Sequence, residues 1–354
     1  MIELLEACVR IPSLSGEEQR VATFLCEQMA ARGLGAHIDR EGNAVGVVGS
    51  GPHQLVLLGH MDTVGGDVPV HYEGDSLYGR GSVDAKGPLC AFVLAAAQVA
   101  PTLDRDWQLI VVGATEEESA TSRGARYAAT QLHPSACVIG EPSGADGITL
   151  GYKGRLLVDA HFEQPSRHSA VPEPSAGEQA IQLWNWLNEY TQRFNVDLPR
   201  AYDQLYARLR QINSSDDGLR EWCDLLIGLR LPLKLTPDEL QAQFERWVAD
   251  RPATLLRPAL AFHGKEVAYR SLRDTSLVLA FLESIRSEGQ RPVYKLKTGT
   301  SDMNVVGPVW GCPMVAYGPG DSSLDHTPQE HIGVAEFERS VRVLTRVIQT
   351  MTKS

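Results

Sequence analysis

The chain has 354 residues, a length typical of about two domains, and its 43% hydrophobic and 22% charged residues form an ordinary globular composition. A formal net charge of −11 argues against nucleic acid or an anionic membrane surface as a partner. The sequence contains no apolar run long enough to cross a bilayer and no basic leader at the N-terminus, so we expect a cytoplasmic protein.

The six cysteines show no C-x-x-C spacing, which argues against a thiolate zinc or redox motif. We expect buried free thiols in a reducing compartment.

The first part of the chain reads as alternating strands and helices. Ser15 and Glu18 have the spacing of a capping box, which predicts that a helix begins there. Apolar patterning predicts the following further elements: strands at 44–48, 55–58, 109–113 and 136–139, and a buried helix at 86–99. This alternation is typical of an α/β sheet, with functional loops at the carboxyl ends of its strands.

The middle of the chain changes character. The predicted elements are strands at 155–162, 225–231 and 255–262, helices at 176–194 and 236–248, and room for a strand near 205–215. This order indicates a small ferredoxin-like α+β module. An α/β pattern resumes with a helix at 275–286, a strand at 314–317 and a helix at 333–351. We therefore predict one discontinuous catalytic domain, 1–152 and 265–354, with a second domain, 153–264, inserted in it.

Polar side chains follow the apolar strands. They are His60 with Asp62, Asp84 in a glycine-rich turn before a helix, Glu116 to Glu118, Glu141, and His326. Each has an ordinary interpretation when taken alone, such as a helix N-cap for Asp84 or a local hydrogen bond between His60 and Asp62. Together they would converge on one crevice at the edge of the sheet.

Mixed imidazole and carboxylate groups suit zinc, cobalt or manganese better than calcium. Two histidines and three carboxylates are enough for two ions if one carboxylate bridges them. A nearby carboxylate that is not a ligand would serve as general base, so the set indicates metal-assisted hydrolysis.

The motifs resemble the di-zinc metallopeptidase family of aminoacylase, acetylornithine deacetylase and succinyl-diaminopimelate desuccinylase. They occur in the family's order along nearly the whole chain: IPSLSGEE (11–18), GHMDTV (59–64), LYGRGSVDAKG (77–87), ATEEE (114–118), GEPSG (140–144), RHSAVPEPS (167–175) and GPGDSSLDHTPQEHI (318–332). The resemblance implies a zinc-aminopeptidase-like catalytic domain with a mixed sheet, plus an inserted lid and dimerisation domain.

The resemblance also implies roles for individual residues. It places His60 and Glu141 on one metal and His326 on the other, with Asp84 bridging the two ions and preceding a cis peptide bond. Asp62 orients His60. Two divalent ions per subunit are expected, with zinc as the first choice and cobalt as the alternative.

The run Glu116-Glu117-Glu118 leaves two alignments open. In the preferred alignment Glu117 is the general base and Glu118 the metal ligand. A shift by one residue would make Glu116 the base and Glu117 the ligand.

The inserted domain contributes two further candidates through the resemblance. His168 matches a histidine that reaches the active site of the other subunit and stabilises the developing oxyanion, which implies a functional homodimer. Arg230 matches a lid arginine that binds a substrate carboxylate, although a surface arginine on an edge strand is the plainer interpretation.

The segments VDAKGPL (83–89) and KTGTSDMN (297–304) resemble the subgroup that releases lysine, or ornithine, from LysW, an acidic amino-group carrier protein of lysine and arginine biosynthesis. The alternatives are an N-acetyl-lysine or N-acetylornithine deacetylase, a di-zinc dipeptidase, and, from another class, a non-catalytic metal-binding module.

An acidic carrier would be repelled by a chain of charge −11 unless the chain has a locally basic surface. The basic residues that the lid offers for such a surface include Lys153, Arg155, Arg200, Arg208 and Arg210.

Overall fold

A computed structural model describes residues 1–168 and 170–353. Ser169, within the motif at 167–175, lies outside the described residues. Contacts between Cα atoms divide the chain into a first unit, Met1–Gly151 with Arg270–Leu296 and Ser301–Ser354, and a second unit, Tyr152–Tyr269 with Lys297–Thr300. Residues 152, 265–269 and 297–300 thus fall in the second unit, whereas the sequence prediction assigns them to the catalytic domain.

The helices of the described residues are α1 (Ile2–Val9), α2 (Gln19–Ala30), α3 (Lys86–Val99), α4 (Arg123–Gln131), α5 (Ala176–Phe194), α6 (Pro237–Ala249), α7 (Ser276–Ser287), α8 (Asp302–Trp310) and α9 (Val334–Met351). The strands are β1 (Gly35–Ile38), β2 (Ala44–Gly49), β3 (His53–His60), β4 (His71–Glu73), β5 (Ser76–Tyr78), β6 (Trp107–Ala114), β7 (Ala136–Gly140), β8 (Gly147–Tyr152), β9 (Gly154–Pro165), β10 (Tyr206–Asp216), β11 (Arg220–Leu231), β12 (Ala259–Glu266), β13 (Tyr269–Arg270), β14 (Val293–Lys297), β15 (Met314–Ala316) and β16 (His331–Gly333). Across these residues, none of the helices is long and apolar enough to cross a membrane.

The first unit is built on a mixed sheet with the strand order β1-β2-β6-β3-β7-β15-β8-β13, and β14 also pairs with β8. β3 runs parallel to both β6 and β7, whereas β2 is antiparallel to β6. The central strands are apolar and buried because helices cover the sheet. The predicted α/β fold with a mixed sheet is confirmed.

Helix α3 forms the centre of the first unit's core. It is apolar on all sides, and side chains such as Leu89, Phe92 and Val93 are fully buried. It packs against α9 on one side and against β3 and β6 on another. A helix that is apolar on every face needs this complete cover.

The capping box predicted at Ser15 and Glu18 is wrong. Helix α2 begins at Gln19, and no side chain caps it. Ser15 Oγ instead donates to Asp62 Oδ2 at 2.7 Å. Glu18 is buried, and its Oε1 accepts from the N–H groups of Gly16 at 2.9 Å and Glu116 at 3.0 Å. Both side chains are taken by the loops of the candidate site and are not free to cap a helix.

The second unit has the order β9-α5-β10-β11-α6-β12, and its antiparallel sheet runs β10-β11-β9-β12. This is the ferredoxin-like topology that the sequence predicted, including the strand expected near 205–215. Alternate residues of β9 and β11 are buried beneath α5 and α6 as one hydrophobic core. Among the described residues of this unit, no helix packs on the opposite face of the sheet.

Both helices of the second unit begin with a complete capping box. Ser175 and Glu178 form the first, and Thr236 and Glu239 form the second, with Pro237 at the first helical position. Each box satisfies backbone N–H groups that would otherwise lack partners at a helix N-terminus.

Replacing Thr236 by alanine removes the hydroxyl that accepts from the Glu239 N–H. We expect Thr236→Ala to lower the free energy of unfolding by about 1 kcal/mol. Thr236→Ser keeps the hydroxyl and is the matched control. Urea unfolding followed by circular dichroism checks this, and equal stability of both variants would contradict the capping role.

Candidate metal centre

Three neighbouring parallel strands deliver polar side chains to one edge of the sheet. His60 ends β3, Glu117 follows β6 after a short turn, and Glu141 follows β7 directly. The register pairs His60 with Ala114, and Gly59 with Gly140, so the three strand ends are level. Because parallel strands end at the same edge, these side chains converge in the first unit.

The loop before α3 and the loop before β16 complete the cluster. His60 Nε2 lies 3.4 Å from Asp84 Oδ1 and 4.0 Å from Glu117 Oε2. His326 Nε2 lies 3.0 Å from Asp84 Oδ2 and 2.9 Å from Glu118 Oε1. The two oxygens of Asp84 therefore face two different imidazole rings.

Two overlapping groups of side chains could hold an ion. In each, one ligand atom per residue lies within 4.8 Å of the others: His60 with Asp84 and Glu118, and His60 with Glu117 and Glu141. The Nε2 atom of His60 is buried and makes no hydrogen bond. Its Nδ1 lies 3.1 Å from the Asp62 carbonyl and 3.3 Å from Asp62 Oδ1. An imidazole held at one nitrogen with the other aimed at carboxylates fits a divalent metal.

The carboxylates of this edge repel one another strongly. Burial raises the pKa of Glu117 well above its ordinary value, and the negative charges of Glu141, Asp302 and Glu118 raise it further. Hydrogen bonds to Asp84 and Glu118 raise the pKa of His326 to about 10. Such a concentration of buried negative charge is stabilised by bound cations.

Asp62 organises the turn that carries the glutamates. Its two carboxylate oxygens accept from the N–H groups of Glu117 at 3.1 Å and Glu118 at 3.0 Å. Glu116 has a φ of 59°, and its carboxylate accepts from Thr121 Oγ1 at 2.6 Å and pairs with Arg123 at 3.0 Å. Glu117 and Glu118 therefore lie in the cluster, while Glu116 is engaged elsewhere.

The sequence analysis overlooked Glu330, four residues after His326. This carboxylate is fully buried, and its Oε1 accepts from the N–H groups of Gly81, Val83 and Asp84 at 2.9, 3.0 and 3.1 Å. Its Oε2 accepts from Arg80 Nη1 at 2.6 Å. Glu330 thus fixes the loop that presents Asp84, and the peptide bond after Asp84 is cis, as the resemblance predicted. In the sequence, Glu330 is a single glutamate in a polar run, and no pattern there predicts that it is buried.

Asp302 was also overlooked as an acid of the site. It is the first residue of α8, it is buried, and its charge contributes to the raised pKa of Glu117. The sequence analysis used the run KTGTSDMN only for the resemblance to a subgroup and did not predict that its aspartate, Asp302, lies in the site.

His168 and Arg230 lie in the second unit. His168 is exposed, and its Nδ1 accepts from the Ala170 N–H at 3.2 Å. Arg230 Nη1 donates to Thr300 Oγ1 at 2.7 Å within the same unit. Their functional roles stay predictions.

Replacing Glu330 by glutamine removes a charge and half of the acceptors that hold the Asp84 loop. We expect Glu330→Gln to weaken binding of divalent ions by about 10–100-fold, because the loop loses its fixed position. Titration with a metal indicator measures this, with Glu283→Gln on the exposed surface of α7 as control. Unchanged affinity in a folded Glu330→Gln protein would contradict the positioning role.

Known proteins resemble this chain along its whole length. A LysW-lysine hydrolase of Deinococcus radiodurans is 46% identical over 350 residues, covering 98% of this chain and 95% of that protein. A protein of Thermococcus kodakarensis, whose name proposes LysW-lysine/LysW-ornithine hydrolase activity, is 35% identical over 356 residues, covering 99% of this chain and 92% of that protein.

The fold also has counterparts among solved structures. An M20 family metallo-carboxypeptidase from Sulfolobus solfataricus superposes with a TM-score of 0.78 at 18% identity, covering 98% of both chains. Residues 56–350 match the sequence profile described as peptidase family M20/M25/M40. This match spans most of the chain, and the chain is therefore a member of peptidase family M20/M25/M40.

Proposed function

We propose that this protein is a metal-dependent amide hydrolase that releases lysine from the carrier protein LysW, with ornithine as the alternative product. The observation that carries the proposal is the 46% identity to the LysW-lysine hydrolase of Deinococcus radiodurans, which extends over nearly all of both chains. The bond cleaved would join the α-amino group of lysine to the side-chain carboxyl of the carrier's C-terminal glutamate. The setting would be the cytoplasm, in lysine or arginine biosynthesis.

The residues of the cluster divide into two ligand sets that share Asp84. His60, Asp84 and Glu141 would hold one ion, and Asp84, Glu118 and His326 would hold the other. The 2.9–3.4 Å separations of the two imidazole rings from Asp84 and Glu118 support this division. Zinc fits the imidazole and carboxylate donors, with cobalt as the alternative. When bound, the ions would polarise the amide carbonyl and lower the pKa of a water molecule.

Glu117 is assigned as the general base. Its carboxylate lies in one group with His60 and Glu141, 4.0 Å from His60 Nε2, and so stands beside the ion that His60, Asp84 and Glu141 would hold. In the proposed reaction, Glu117 takes a proton from the attacking water and delivers it to the leaving α-amino group. The outward hydrogen bonds of Glu116 support this alignment of the glutamates over the shifted one.

Asp62 would act on the site through His60. Its carboxylate and carbonyl oxygens lie beside Nδ1, which directs Nε2 toward the ligand cluster. The same carboxylate holds the turn of Glu117 and Glu118, so one side chain positions ligands from two strands.

The second unit would supply the remaining polar groups, and a homodimer belongs to the proposal. His168 would stabilise the oxyanion in the active site of the other subunit. Arg230 would bind the carboxylate of the released amino acid, a task that suits a planar guanidinium group.

Exchanging Glu117 for glutamine keeps the side chain's shape but removes the proton acceptor. We expect Glu117→Gln to bind divalent ions normally and to lower kcat by about a hundredfold or more. Glu116→Gln is the matched control and should keep most activity. The reverse result, with Glu116→Gln inactive, would favour the shifted alignment.

Mixed dimers test the role of His168. Glu117→Gln and His168→Ala homodimers should both be nearly inactive, because each lacks one group in both sites. A hybrid of the two subunits regains one complete site if His168 acts across the dimer. Activity is measured after subunit exchange, and hybrids as inactive as the parents would refute action across the dimer.

A panel of substrates tests the function itself. We expect the highest kcat/KM with carrier-linked lysine or ornithine, and much lower values with N-acetyl-lysine and a dipeptide. Preference for N-acetyl-lysine would identify a deacetylase. Metal binding without hydrolysis of any of the four would indicate a non-catalytic module.

A further inference from the structure

The helices of the second unit cover one face of its sheet and leave the other face uncovered. On β9 and β11, Leu156, Val158, Leu225 and Ile227 point toward α5 and α6 and are buried in the core. The residues between them therefore point to the opposite face, because successive side chains of a strand alternate. We call this opposite face the open face.

The strand register sorts the open-face residues into rows. Tyr206 of β10 pairs with Arg230 of β11, and Arg230 pairs with Arg155 of β9. In the next row, Arg208 pairs with Gly228, and Gly228 pairs with Leu157. Neighbouring strands are about 4.8 Å apart, so Arg155, Arg230 and Arg208 lie at one end of the open face.

A bulge adds a fourth arginine to this end. The pairing of β10 with β11 shifts between Leu209 and Gln211, which leaves Arg210 without a partner in the register. The Cδ atom of Arg210 lies 3.0 Å from the position that a Cβ of Gly228 would occupy. Arg210 therefore extends across the open face in the space that the missing side chain of Gly228 leaves.

These four residues, Arg155, Arg208, Arg210 and Arg230, form the arginine cluster. Glu266 lies 3.9 Å from Arg155, but Arg208 and Arg210 form no ion pair within the described ranges 1–168 and 170–353. Lys153 lies beside the cluster, with Nζ 3.9 Å from the centre of the Tyr206 ring. Burial and the charge of Arg230 lower the pKa of Lys153 to about 8.

The far end of the open face carries carboxylates that have partners. Asp159, His161 and Glu163 of β9 lie there with Asp224 of β11, and His161 Nδ1 is 2.6 Å from Asp224 Oδ1. At this end Glu163 also pairs with Arg220 at 2.7 Å, and Asp159 pairs with His263 at 2.8 Å. The open face therefore presents arginines without ion pairs among the described residues at one end and paired carboxylates at the other. Arg200 does not join the cluster, since it pairs with Asp203 at 2.5 Å.

We propose that the arginine cluster is a docking surface for an acidic segment of the protein substrate. The proposal rests on the proposed function, in which an acidic carrier is the acyl partner of lysine. The chain's net charge of −11 would repel such a partner, whereas two arginines without ion pairs and two more beside them attract it locally.

The geometry favours an extended peptide with several carboxylates. Side chains at positions i and i+2 of an extended segment lie about 7 Å apart on one side, which matches the spacing of Arg208 from the row of Arg230. Guanidinium groups bind carboxylates in pairs of hydrogen bonds, so Arg155, Arg208 and Arg210 could each receive one acidic side chain. Arg230 is left for the carboxylate of the released amino acid.

The test of the docking surface compares the kinetics of carrier-linked lysine and N-acetyl-lysine in the full-length enzyme. We expect the double variant Arg208→Glu/Arg210→Glu to raise KM for carrier-linked lysine by about tenfold or more, because charge reversal slows association. Its kcat/KM for N-acetyl-lysine should stay within about twofold of wild type. Raising NaCl from about 50 to about 500 mM should raise the wild-type KM for the carrier substrate alone, because salt screens exposed charges.

The matched control is Arg193→Glu/Arg246→Glu. It makes the same change of charge on exposed residues of α5 and α6, on the other side of the sheet, and should keep the wild-type KM. Thermal melting of both double variants checks their folding.

The experiment distinguishes failure of the docking proposal from failure of the proposed function. If the wild type hydrolyses carrier-linked lysine but Arg208→Glu/Arg210→Glu keeps the wild-type KM, the docking surface is wrong and the function stands. Equal loss with both substrates would also overturn the docking surface. If the wild type hydrolyses N-acetyl-lysine but not carrier-linked lysine, the proposed function fails and the docking proposal falls with it.

Discussion

The concentration of negative charge at one edge of a buried sheet is the constraint on which the rest of the catalytic unit depends. Asp84, Glu117, Glu118 and Glu141 approach one another in surroundings that raise the pKa of Glu117 well above its ordinary value. Such an arrangement is unfavourable unless positive charge joins it. The surrounding loops hold the carboxylates in place: Asp62 fixes the glutamate turn, and Glu330 fixes the turn that presents Asp84.

The two acids that hold the loops use backbone donors in the same way. Each accepts at least two backbone N–H groups from a turn. A buried carboxylate is tolerated when several donors surround it. Loops built in this way are fixed before any ligand arrives, so little ordering remains to be done on binding.

The second unit is organised by the two faces of its sheet. Its helices cover one face of a four-stranded sheet and leave the other face to carry charge. Alternation along the strands separates the apolar side from the polar side, and a single glycine at position 228 lets Arg210 lie across the open face. A chain that is acidic as a whole thus carries a basic surface in one place.

The sequence by itself determined the α/β class, the ferredoxin-like topology, and the polar residues that end the strands. These follow from local periodicity and from the position of His60, Glu117 and Glu141 after apolar runs. Only the tertiary structure decided that Ser15 and Glu18 serve the site loops, that Glu330 is buried, and which arginines of the second unit share a face. The reason is that each depends on contacts between residues far apart in the chain, or on strand register, and neither leaves a local pattern.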